Sequence, residues 1–229
     1  MNMWLADILN LFFPGECHLC GNSLSSNERF VCNPCIETLP RTGYHRINNN
    51  PMVEKFAGQF PFVSATGHFF YSRDSSLSQL IQDMKYRNFP SIGEKLGEIA
   101  GKELVITGFL NDIDLIVPLP MHYLKKARRG YNQTDRIAKG LSNSSGIPIV
   151  EGLRMIRGRK TQTSLSHQLR LSNADNLFAP QKGISLDHKN VLLVDDICTT
   201  GATMGAAAKA LTDAFPSMKL YLFALATAF

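Results

Sequence analysis

The 229-residue chain contains no apolar run long enough to cross a bilayer as a helix, so no membrane insertion is expected. It has no collagen-like period, no low-complexity tract and no internal repeat, which sets aside fibrous, disordered and solenoid architectures. No G-x-x-x-x-G-K-S/T loop occurs, so an acidic strand end elsewhere lacks the partner that a P-loop NTPase requires. The opening Met1 to Phe13 is apolar, with Trp4, Leu5, Ile8, Leu9 and Phe12 at helical spacing. It nevertheless lacks a basic leader region, carries Asp7 and meets Pro14 without a small-residue cleavage site. A short amphipathic helix packed on the body is expected there, with a partner-binding helix as the alternative. With no export signal, a cytoplasmic location with reduced thiols is expected. Charge of neither sign dominates. A formal balance of +5 suits polyanionic ligands without demanding nucleic acid.

What is present is concentrated in Val191-Leu-Leu-Val-Asp-Asp-Ile-Cys-Thr-Thr-Gly-Ala-Thr-Met204. Four apolar residues suit a strand buried on both faces of a parallel sheet, ending at the carboxyl edge where open α/β folds bind ligands. Thr199, Thr200 and Gly201 then make a tight turn into an Ala-rich helix. Its first N–H groups lack intrahelical partners, and with the positive dipole end they favour phosphate. Asp195 and Asp196 repel an anion but suit hydroxyls or a cation. A phosphate and a polyol side by side describe a ribose 5-phosphate pocket. The segment resembles the phosphoribosyl pyrophosphate (PRPP) signature of type I phosphoribosyltransferases. By that resemblance Asp195 and Asp196 contact the ribose hydroxyls, while Thr199, Thr200, Gly201, Ala202 and Thr203 hold the 5′-phosphate. The bland rival is an ordinary strand-to-helix turn with a solvated Asp pair.

Cys17-x-x-Cys20 and Cys32-x-x-Cys35 form two pairs separated by eleven residues. This spacing suits a tetrahedral site in which each pair supplies one knuckle, and with all four positions filled the zinc is structural. Disulfides and a redox pair are the rivals; the first conflicts with reduced thiols, the second with the doubled motif. His18 reads as a bystander and Cys198 as an incidental small residue.

Residues 1–45 are expected to form the helix and cysteine module, and 60–229 an α/β domain. Pro40 to Phe60 is polar and turn-rich and reads as a linker. Phe62 to Tyr71 suits strands, and Leu77, Leu80, Ile81 and Met84 follow i, i+3, i+4, i+7 helical spacing. Lys85-Tyr86-Arg87 ends that helix, either as a solvated terminus or beside an anionic ligand. Ile92, Leu96, Ile99 and Ala100 mark a further helix, and Ile113 to Val117 a short strand. Lys125 to Gln133 reads as a basic loop that could clamp pyrophosphate through arginine forks. Val191–Val194, Ala202–Phe215 and Leu220–Ala226 make a βαβ unit within a mostly parallel sheet flanked by helices.

Together, Leu-Phe-Phe-Pro, the four cysteines, Lys-Tyr-Arg, Arg-Arg-Gly-Tyr-Asn-Gln, Gln162-Thr-Ser-Leu165 with Arg170, Asn173 and Phe178, and the PRPP signature resemble the ComF family across essentially the whole chain. The resemblance implies a phosphoribosyltransferase-type protein linked to natural competence and DNA uptake, using Mg²⁺ with PRPP and a structural zinc. It places Arg129, Asn132 and Gln133 near the pyrophosphate, Gln162 and Arg170 in a hood over the site, and Lys85 beside the substrate. Arg129 and Arg170 are the expected pyrophosphate contacts. No residue stands out as a general base, and no acceptor-specific element is visible. Two alternatives stay open. One is a non-catalytic PRPP or nucleotide sensor. The other is an adaptor that binds single-stranded DNA and works with DNA-uptake or recombination proteins.

Overall fold

The computed structural model describes residues 15–26, 28–87, 89–156 and 177–228. The expected helix at Met1 to Phe13 lies outside them, as do Gln162, Leu165, Arg170 and Asn173.

Four parallel strands make the main sheet, in the order β1 (Ser64–Phe70), β6 (Lys219–Thr227), β5 (Asn190–Cys198), β2 (Leu115–Pro118). Strand β5 is central, and its apolar run is buried completely because both sheet faces are covered. Leu192 and Val194 point into one core and Val191 and Leu193 into the other, as the two-residue period of a strand dictates. The first face carries α3 (Ser76–Tyr86), α4 (Pro90–Ile106) and α6 (Gln133–Ser145). The second carries α2 (Pro51–Phe56), α7 (Ala202–Ala214) and a small antiparallel hairpin, β3 (Leu153–Met155) with β4 (Phe178–Pro180). The expected βαβ unit is present as β5, α7 and β6. Leu77, Leu80, Ile81 and Met84 are all buried, so the period read for α3 is its core face. Among the described residues, no helix is long and apolar enough to cross a membrane.

The stretch read as a linker is instead folded against the sheet. Asn50, 1 % exposed, caps α2 by accepting from the amides of Met52 and Val53. Its own amide nitrogen donates to the carbonyls of Tyr44, Ile47 and Ala65. Met52 and Phe56 enter the second core. The basic segment is likewise ordered, as helix α5 (Tyr123–Arg129), stopped by Gly130 at φ 80.

The cysteine segment packs on the first face. Cys17, Val31, Cys32, Ile36 from α1 (Asn33–Glu37) and Leu39 share a core with α3 and α4.

Candidate functional site

Strand β5 delivers Asp195 and Asp196 to the carboxyl edge of the sheet, and Gly201 turns the chain into α7. Gly201 holds φ 78, a left-handed conformation that an L side chain resists. A Cβ there would also stand 2.9 Å from the Phe56 ring. The turn encloses a hollow of about 30 Å³ lined by Asp195 and residues 197–204. Thr200 Oγ1 accepts from the Ala202 amide at 3.4 Å, and the other first-turn amides of α7 open at the same helix end, a geometry suited to an anion. Lys55 Nζ donates to the Thr199 carbonyl and, at 3.3 Å, to that of Ala228. Sequence reasoning missed Lys55 and Phe56. The signal was there in Asn50-Pro51, a cap followed by proline at the first helical position.

The paired acids are held differently. Asp195 is 8 % exposed, and burial foremost, then the adjacent charge of Asp196, pushes its carboxyl up to about 8; Lys85 offsets this in part. Asp196 Oδ2 lies 2.5 Å from Lys85 Nζ. The Asp196 amide donates to Asp195 Oδ1 at 2.8 Å. Of the Lys-Tyr-Arg triplet, Lys85 therefore reaches the acid pair, while Tyr86 and Arg87 stay exposed.

Beside the acids opens a cleft of about 660 Å³, lined by Lys85, Arg129, Asn132, Gln133, Asp195, Asp196 and Thr203 among others. Arg129 Nη1 donates to Gln133 Oε1 at 3.0 Å, and its guanidinium lies 5.0 Å from the Tyr86 ring centroid. Arg129 Nε and Gln133 Nε2 are buried donors with no partner among the described residues. Such groups are costly unless an acceptor meets them, and the cleft they line is where an anion would do so. Asn132 has a different place. Its amide nitrogen donates to the Leu119 carbonyl at 2.9 Å and to Asp135 Oδ1 at 2.8 Å, so it braces the loop that follows β2. Thr134 Oγ1 donates to the same carbonyl at 2.6 Å. Met155, Leu177 and Phe178 give the opposite wall an apolar surface.

Away from the cleft, the sulfurs of Cys17, Cys20, Cys32 and Cys35 all lie within 4.8 Å of one another, with Cys20 and Cys32 3.7 Å apart. Four thiolates about 2.3 Å from a tetrahedral zinc would stand about 3.8 Å apart, so the cluster could hold that ion. None of the five cysteines is in a disulfide. Cys198 is buried and its thiol pushed up to about 11, which suits the small-residue reading rather than a nucleophile. His18 stands outside that cluster, as expected of a bystander to the metal, and its Nδ1 lies 2.9 Å from Asp83 Oδ2.

A family model for the phosphoribosyl transferase domain matches residues 115–227, which include β2, both acids and the Thr-Thr-Gly turn. The chain is 31 % identical to the DNA utilization protein YhgH of Escherichia coli over 88 % of its own length and 92 % of the relative's. It is 28 % identical to Competence protein F of Haemophilus influenzae, over 87 % and 92 %. Competence protein ComFC of Bacillus subtilis is 29 % identical over 43 % of this chain and 38 % of its own. The α/β sheet, the acid pair ahead of the Thr-Thr-Gly turn and these relatives converge: the chain belongs to the ComF family and carries a phosphoribosyl transferase domain.

Proposed function

We propose that the cleft binds PRPP with Mg²⁺ and transfers its phosphoribosyl group to an acceptor. The observation that carries this reading is one juxtaposition at the sheet edge. The turn at 199–203 offers amides to a 5′-phosphate, Asp195 and Asp196 stand beside it for the ribose diol, and the unpartnered donors of Arg129 and Gln133 face the pyrophosphate side. Magnesium bound with PRPP offsets negative charge on the pyrophosphate. Arg129 and Gln133 hold the leaving oxygens as the C1–O bond breaks, and the acceptor's electron pair forms the new bond at C1 from the opposite face. Positioning and electrostatics supply the rate acceleration. The apolar wall of Met155, Leu177 and Phe178 suits a flat acceptor. The four cysteines hold a structural zinc, and the site is expected to function in the cytoplasm.

Calorimetry with PRPP and Mg²⁺ tests the pocket. Heat should appear with the native chain and vanish in Asp195→Ala/Asp196→Ala; equal heats from both would refute the reading. Pyrophosphate release with candidate acceptors separates transfer from a sensor that binds without turnover.

A second reading has its own observation. Tyr86 and Tyr123 are 67 % and 71 % exposed, and exposed cations flank them in sequence, Arg87 after the first and Lys125, Lys126 and Arg128 after the second. Exposed rings among cations suit single-stranded DNA, through base stacking and phosphate contacts. The names of the relatives, competence and DNA utilization, fit that use. Binding that weakens steeply with salt and is reduced by Tyr86→Ala/Tyr123→Ala supports it; salt-independent or absent binding rejects it.

A further inference from the structure

We propose that His18 is a positioning residue for the cleft, acting through helix α3 on Lys85; this rests on the PRPP reading above. The cysteine knuckle grips α3 at two points one turn apart. His18 Nδ1 donates to Asp83 Oδ2 at 2.9 Å, and Gln79 Nε2 donates to the His18 carbonyl at 2.6 Å. The Asp83 side chain is only 3 % exposed, so its pairing takes place largely out of water.

The imidazole is held from its other sides as well. Its ring meets Phe89 edge-on at 4.7 Å and Phe30 at 5.8 Å. Phe30 adopts φ 67, a conformation that a bulky side chain enters only when its surroundings enforce it. The strain places a ring against His18, and His18 in turn is aimed at α3.

Two residues beyond Asp83, the same helix carries Lys85 to within 2.5 Å of Asp196. The Tyr131 hydroxyl, from the segment joining α5 to α6, donates to the Met84 carbonyl and ties the arginine side of the cleft to the same turn. The end of α3 is thus fixed between the knuckle and the site. A side chain 65 residues from Asp83 in sequence decides where the lysine ammonium sits relative to the acid pair. Displacing α3 by part of an ångström would leave the fold intact and misplace that charge, to which ligand binding in a half-buried cleft is sensitive.

The experiment is a double-mutant cycle on PRPP–Mg²⁺ affinity. His18→Leu should weaken binding about tenfold, within the range of couplings between residues in one network. His18→Asn, which restores an N–H toward Asp83, should recover most of that loss. In a Lys85→Met background, His18→Leu should add less than about twofold. Asp83→Ala, which leaves the cysteines untouched, should reproduce the His18→Leu result and guards against a variant that fails to hold zinc. The same cycle on ligand-free urea unfolding should also be non-additive. Unchanged affinity in His18→Leu, or equal losses with and without Lys85, would overturn the proposal and leave His18 a purely structural tie. If the native chain binds no PRPP, the site reading falls by itself. The unfolding cycle then decides the positioning claim: coupling between His18 and Lys85 supports it, and additivity overturns it.

Discussion

Gly97 of α4 and Gly140 of α6 face each other with no room for a methyl group. A Cβ on Gly140 would stand 2.1 Å from the Glu94 carbonyl oxygen, and one on Gly97 would stand 2.3 Å from that of Ile137. The two helix backbones are in direct contact, and α6 begins at Gln133, so the contact sets where that side chain enters the cleft. Gly140→Ala should destabilise by at least the ~1–3 kcal/mol typical of overpacking, because rigid backbone rather than a mobile side chain must yield. Urea unfolding measures this; a loss below about 0.5 kcal/mol would contradict the close approach.

Gly201 combines a left-handed φ with the Phe56 ring behind it. Gly201→Ala is expected to lower PRPP affinity at least tenfold, as the turn opens and the α7 amides diverge, and to lower the melting temperature by a few degrees. Calorimetry and thermal unfolding report the two effects separately.

Asp195 yields a pH signature. Its carboxyl is held near 8 in the folded protein against an ordinary value of 3.8, so the folded state retains a proton that the unfolded chain has released. This lowers stability progressively as pH rises between those values, and the cost is full above about 8. Asp195→Asn should therefore melt several degrees above the native chain near pH 8, with the gap narrowing towards pH 5. The same variant should lose the heat of PRPP binding. A gap that widens on acidification would refute the assignment.

The cysteine cluster should carry about one zinc ion per chain by elemental analysis. Extracting the zinc should lower the melting temperature, because Cys17 and Cys32 share a core with α3 and α4. Full stability in zinc-free protein would remove the structural role.

Much of this was legible in the residues themselves. Val191 to Val194 announced a buried strand, because a short uninterrupted apolar run bounded by acids and a Thr-Thr-Gly turn has few other uses. Leu77, Leu80, Ile81 and Met84 announced a helix by period, and all four are buried. The failures share a cause. Pro51–Phe56 buries only Met52 and Phe56, too few positions to show a period, so a polar composition hid a helix that braces the Thr-Thr-Gly turn. Tyr123–Arg129 buries no residue, and its seven residues are too few to establish a period. His18 and Asp83 lie 65 residues apart, and no local pattern could pair them.

The sheet divides the apolar interior into two, and the lining of the cleft is shared between them. Lys85 and Gln133 stand on elements rooted in one interior, while Thr203 and the Met155–Phe178 wall belong to the other. Amide exchange should therefore resolve two cooperative units with separate opening energies. Ligand held in the cleft should slow both together, because the cleft's lining draws on both.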